Sequence, residues 1–308
     1  MDNRVRGVAQ AFRRTDRFRA SVMALDSLPA RVRDDDWSVR VKLSIITDEI
    51  DQDLATALEF AVAYGIDHVA VRSVWDQNVA AISDGTVERL GALVRRSGLH
   101  VSAVLSPLFK CAASDQNDRR EADPHFVGFS SSFRDHVDAA DRVRRIAEFL
   151  NAPVVRIFSF LADQPRQPTS AAGWAPIAES VEAWPSGLCA VENEHTCRVA
   201  SLRELEEICT TQAVSAVIDP CNHARVTGTV TPDDLGPALV QRAVDVHVKD
   251  VRDGRYVPAG TGLLPWPSLI VRLRELRYEG YLTLESHLRG DLCGLAASIE
   301  ALRGWVRS

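Results

Sequence analysis

No apolar run in this 308-residue chain approaches the ~20 residues needed to span a bilayer, so the sequence reads as having no membrane partner. Basic residues are not in excess: 36 Lys and Arg face 42 Asp and Glu, and the net charge of −6 argues against nucleic acid as a ligand. Cysteine pairs are missing too. The six cysteines are scattered, with no CxxC, which excludes a zinc ribbon or disulfide framework and points to reduced thiols in a cytoplasmic setting. No GxGxxG follows the first β-rich run, which removes the main signal for a dinucleotide-binding open sheet. Arg13-Arg14 is followed by no apolar segment of the kind an export signal carries. What remains is an ordinary globular composition, 46% hydrophobic and 25% charged, with ample material for a core.

Residues 1–40 differ from the rest, with nine arginines, six aspartates and little periodicity. They read as a frayed, flexible N-terminal extension, with a transit peptide or a partner-binding helix as the alternatives. From 41 to 308 the chain alternates β-rich runs with helical patterns. The runs are "VKLSIIT", "DHVAVRS", "LHVSAVLS", "PVVRIFS", "GLCAVEN", "VSAVID", "AVDVHVKD" and "GYLTLES". Each is followed by a helix, the sixth by one opening at "TPDDLG", with Thr231 as N-cap and Pro232 at the first helical position. Eight consecutive strand–helix units close most economically as an α/β single domain, a (β/α)8 barrel.

In such a barrel the C-terminal strand ends share one mouth, where sites are built. Strand five ends in Glu192, strand six in Asp219, strand seven carries His247 and strand eight ends in Glu285. Three hard oxygen donors and one imidazole form a ligand set for a divalent cation. Taken singly, each has another reading: helix N-cap, loop charge or core histidine. Taken together without a cation, they would set like charges against one another, and a bound divalent ion removes that conflict.

The motifs "AVENEH", "VIDPCN", "VHVKD" and "AGTGLLPWPSLIVRLRELRYEGYLTLESH" resemble those of the sugar phosphate isomerase/epimerase family, the xylose isomerase-like TIM barrels. The resemblance covers roughly residues 41–306. It implies one divalent metal ion (manganese, cobalt or magnesium, with zinc as a further option) held by Glu192, Asp219, His247 and Glu285, with Glu192 and Glu285 as the acid/base pair. The substrate it implies is a small sugar, sugar phosphate or related polyol ketone, isomerised or epimerised through a metal-stabilised enediolate. Two positions depart from the family pattern. Asn222 stands where relatives often carry a substrate-contacting histidine, and Arg72 follows "VAV" where many carry an acid; both bear on the substrate more than on the metal.

Other polar residues fall around the same mouth. His195, three residues past Glu192, is a candidate substrate contact or a loop histidine. Lys249, two past His247, is directed by strand alternation to the histidine's side. Arg72, Lys110 and Arg156 at strands two, three and four are candidates for an anionic group, or structural ion pairs. Glu194 either faces away from Glu192 or reaches over the mouth, and Trp266 either walls the pocket or packs. Segment 110–130 is long enough for a lid; "AGTG" (259–262) is either a plain turn or a phosphate cradle. A metal-dependent dehydratase resembling 3-dehydroshikimate dehydratase, a C-glycoside-cleaving subunit, and a catalytically silent binding or regulatory barrel are the alternatives. Whether copies of the chain assemble into a homo-oligomer is left open.

Overall fold

The computed structural model describes residues 37–113, 129, 132–162 and 171–308. Most of the N-terminal extension and most of the segment read as a lid lie outside the described residues. Eight parallel strands close a barrel: β1 (Lys42–Ile46), β2 (His68–Val71), β3 (His100–Leu105), β4 (Val155–Ile157), β5 (Cys189–Glu192), β6 (Ser215–Ile218), β7 (Ala243–Val248) and β8 (Tyr281–Leu284). Each pairs with its sequence neighbour, and β1 closes on β8 with Lys42 opposite Tyr281. All eight lie within the runs read from sequence.

The outer layer consists of α1 (Leu54–Ala63), α2 (Asp84–Arg96), α3 (Phe133–Leu150), α4 (Ala171–Val181), α5 (Leu202–Gln212), α6 (Pro237–Arg242), α7 (Trp266–Glu275) and α8 (Leu292–Arg307). Local chemistry starts and stops them. Ser201 and Glu204 form a reciprocal capping box on α5, Asp53 caps α1, and α3 ends on Asn151 in the left-handed region at φ +52°. The main core lies between strands and helices. A smaller one, with Ile46, Ala70, Ala103, Leu105, Ala190 and Val217, fills the inside of the barrel. Residues 37–40, grouped with the extension in the sequence, form a helical turn whose buried Trp37 donates its indole N–H to Tyr278 O.

One connection differs from the reading. The helix expected at "TPDDLG" is a single 3-10 turn, Pro232–Asp234, closed by Asp234 Oδ2 accepting from Thr231 N and Oγ1; α6 begins only at Pro237. An unanticipated helix, Pro220–Thr227, starts directly after β6, with Asp219 as N-cap and Pro220 at its first position. That helix brings Asn222 over the barrel mouth.

Candidate metal and active site

The barrel brings Glu192, Asp219, His247 and Glu285 together. One ligand atom from each lies within 4.8 Å of the others, and all four residues are buried. Four consecutive strands, β5 to β8, deliver them. Along β7 the two-residue period turns Asp245, His247 and then Lys249 to the barrel interior, where each is buried.

Each glutamate divides its two oxygens between different partners. Glu192 Oε1 lies 3.4 Å from His247 Nδ1, while Arg156 Nη1 donates to its Oε2. Glu285 Oε2 lies 3.1 Å from the same Nδ1, and its Oε1 accepts from Arg72 Nη1 at 3.0 Å. Arg72 is itself mounted on Asp48 and Glu49, with Nη2 at 2.8 and 2.6 Å from their carboxylates. Asp219 Oδ1 caps its helix by accepting from Asn222 N at 2.8 Å; Oδ2 lies 2.5 Å from Lys249 Nζ, which also donates to Glu285 Oε2 at 3.0 Å. The N-cap and ligand readings of Asp219 therefore apply to different oxygens of one carboxylate.

Burial opposes ionisation of Glu192, yet Arg156 and His247 hold its pKa below the ordinary value. Burial likewise opposes ionisation of Glu285, and Lys249 and His247 hold it well below. Asp219 goes the other way, pushed up to about 6 by burial against the pull of Lys249. For His247 burial disfavours the cation, and Glu192 with Glu285 more than reverse that, raising its pKa well above the usual range.

This network corrects one argument from the sequence. Charge balance alone does not call for a metal, because Lys249, Arg156 and Arg72 already supply cations to the carboxylates. What fits a divalent ion is the donor set itself. Glu192 Oε1, Glu285 Oε2 and Asp219 Oδ2 converge with an imidazole nitrogen, while arginines and a backbone N–H hold the outward oxygens of the three carboxylates. Three carboxylate oxygens and one imidazole nitrogen suit a hard or borderline divalent cation.

A cavity of about 300 Å³ opens above the set. Arg72, Lys110, Arg156, His195, Asn222 and Lys249, the six polar candidates read from sequence, all line it together with Glu192 and Glu285. Asn222 Nδ2 reaches Glu194 Oε2 at 3.1 Å and Glu192 Oε1 at 3.5 Å; His195 Nδ1 lies 2.8 Å from Glu194 Oε1 and 3.2 Å from Asn222 Oδ1. Glu194 thus faces the cavity. Four residues that the reading passed over also matter: Phe158, whose ring centroid lies 4.1 Å from the Arg156 guanidinium carbon; the tilted ring pair Tyr256 and His287 (centroids 4.3 Å apart) at the rim; and Asp245 below His247. His287 follows Glu285 by two, Asp245 precedes His247 by two and Phe158 follows Arg156 by two, spacings visible in "ESH", "DVH" and "RIF"; nothing in the sequence marks Tyr256.

Two further readings are settled. Trp266 is fully buried, donates Nε1 to Lys249 O at 3.0 Å and stacks on Trp305, so it packs and does not wall the cavity. The backbone N–H groups of Gly260 and Gly262 are bonded by Asp250 Oδ2 at 2.9 and 3.0 Å, so segment 259–262 is a turn held from within and no cradle for a phosphate.

The family model of the xylose isomerase-like TIM barrel matches residues 58–308, and the chain belongs to that family. Among solved structures, it is similar to the apo form of 3-keto-D-glucoside 4-epimerase from E. coli (TM-score 0.63, 13% identity, 86% of this chain and 99% of that one). D-allulose 3-epimerase from Methylomonas sp. in complex with D-allulose gives a TM-score of 0.61 at 14% identity over 85% and 96% of the two chains. IolI protein with a bound zinc atom gives 0.61 at 15% identity over 87% and 98%. At such identities the likeness is one of fold. No curated protein sequence matches the chain. Among the described residues, no helix is long and apolar enough to cross a membrane.

Proposed function

We propose that the chain is a metal-dependent isomerase or epimerase of a sugar, sugar phosphate or related polyol ketone, acting on the proton next to the carbonyl. The observation that carries this reading is the division of oxygens on Glu192 and Glu285, with one oxygen of each turned toward His247 Nδ1 and the other bonded by an arginine. A divalent cation (manganese, cobalt, magnesium or zinc) held by Glu192, Asp219, His247 and Glu285 would supply Lewis acidity to a carbonyl and its neighbouring hydroxyl. The epimerase and zinc-bound relatives support the same chemistry.

The chain's own residues do the rest. Glu192 and Glu285 project from the ends of β5 and β8 into one cavity, so one ionised carboxylate takes the α-proton; the carbon is then reprotonated from the opposite face by the other glutamate, carrying a proton it has taken from solvent, or the neighbouring carbon is reprotonated to give an isomer. Arg156 and His247 keep Glu192 ionised, Lys249 and His247 do the same for Glu285, and both carboxylates are weakened as bases, which leaves acidification of the substrate to provide much of the rate. Lys249, Asn222 and His195 are placed to hydrogen-bond substrate oxygens, and Lys249 brings positive charge to the anion that forms. Of the three cationic candidates, Arg72 and Arg156 are held by Asp48, Glu49, Glu285 and Glu192, and Lys110, on the cavity wall 3.8 Å from Glu194 Oε1, offers the complement to an anionic substituent. Six free thiols, five of them buried, suit a cytoplasmic enzyme.

The test is a screen of ketoses, aldoses and inosose-type cyclitols in deuterated water with each metal, read by NMR. The expected result is deuterium entering at the α-carbon with no hydroxyl lost, only when metal is present. Loss of hydroxyl would replace this reading with the dehydratase, and cleavage of a C-glycoside with the third enzymatic alternative. Absence of any exchange across the panel would favour the silent barrel.

A further inference from the structure

Beneath the ligand set, the inside of the barrel is apolar except for a few groups, and one of them is a carboxylate. Asp245 is fully buried, two residues before His247 on β7, so both side chains point inward. Burying an acid there is costly unless it is bonded. Thr283, paired with His247 across the β7–β8 register, donates Oγ1 to Asp245 Oδ2 at 2.8 Å. The same oxygen lies 3.7 Å from His247 Nε2, which has no hydrogen-bond partner among the described residues. The other ring nitrogen, Nδ1, faces Glu192 and Glu285.

We propose that Asp245 is a positioning residue for His247: it receives the imidazole Nε2–H, with Thr283 aiming the carboxylate, and so leaves the Nδ1 lone pair directed into the ligand set. A neutral imidazole carries one N–H, and whichever partner accepts that hydrogen decides which nitrogen is left to bind a metal. With the acceptor on the Nε2 side, Nε2 keeps its hydrogen when a cation takes the place of the one that Nδ1 shares with Glu192 and Glu285. Closing 3.7 Å to an ordinary N–H···O length takes a shift of roughly 0.7 Å. This inference rests on the metal reading above.

The experiment uses zinc, which is diamagnetic, with the full chain carrying ¹⁵N-labelled histidine. In the zinc-loaded wild type, the His247 Nε2 resonance is expected to be that of a protonated nitrogen and Nδ1 that of a coordinated one. Asp245→Ala should lower zinc affinity roughly 10–100-fold by calorimetry and shift the ¹⁵N pattern of the metal-free imidazole. Asp245→Asn, which keeps an acceptor oxygen, should recover most of the affinity. If Asp245→Ala does not fold, Thr283→Val loosens the same carboxylate and should give a smaller loss in the same direction. Wild-type zinc affinity and an unchanged ¹⁵N pattern in the folded variant would overturn this inference alone. A wild type that takes up no zinc or other divalent ion would overturn the metal reading and this inference with it.

Discussion

Two regions of the barrel mouth each bury an aspartate, and they treat it in opposite ways. Asp250, at the start of the loop after β7, accepts four backbone N–H groups: Val251 and Leu264 on Oδ1, Gly260 and Gly262 on Oδ2, all between 2.9 and 3.1 Å. The loop closes so tightly that a Cβ on Gly262 would stand 2.1 Å from Asp250 Oδ1. Asp219, after the neighbouring strand, accepts one backbone N–H and turns its second oxygen to Lys249 and the ligand set. A carboxylate saturated by its own loop has nothing left for a ligand and holds structure. A carboxylate satisfied on one side only, beside others of its kind, is available for chemistry.

The comparison breaks first if the half-satisfied carboxylates are dispensable to turnover. Glu192→Gln and Glu285→Gln are each expected to cost roughly 10²–10⁴-fold in turnover while the far-UV circular dichroism stays that of the wild type; near wild-type rates in a metal-loaded variant would refute the acid/base assignment. Next in size, Asp250→Ala strands four backbone donors and should lower unfolding free energy by about 4 kcal/mol or more in denaturant titration, with metal affinity unchanged in the protein that folds. Arg156→Met leaves Glu192 buried without its arginine. It should destabilise the metal-free chain by about 3 kcal/mol, much of it regained on adding metal, as read from melting curves with and without the ion. Smallest, Ser201→Ala breaks the capping box of α5, whose side-chain bonds run to Glu204 and to none of the four ligands, and should cost about 1 kcal/mol with little effect on metal uptake.

Much of the fold was legible because each barrel strand is a short apolar run ending in polar residues, and that pattern survives without any tertiary knowledge. His247 and the three carboxylates were legible for the same reason, since they sit at equivalent places on successive strands. The arginine clamps were not. Arg72 and Arg156 appear as candidates by position, but which carboxylate each bonds depends on contacts 213 and 36 residues apart in sequence. Asp48 and Glu49, in "TDEI", look like an exposed helix start and prove to be the buried mount of Arg72. The helix after Asp219 was missed because Asp-Pro serves both turns and helix starts, and only packing over the mouth decides between them. Asp250 was passed over beside Lys249 because saturation by backbone donors leaves no trace in a residue pattern.

The central claim is that Glu192, Asp219, His247 and Glu285 hold one divalent cation. The direct measurement is calorimetric titration of metal-stripped protein with manganese, cobalt, magnesium and zinc, beside Asp219→Asn and His247→Ala. The account predicts one ion per chain for the wild type and binding weakened at least tenfold in both variants, by about 1.4 kcal/mol or more. A wild type that takes up no ion, or variants that bind as tightly as it does, would contradict it.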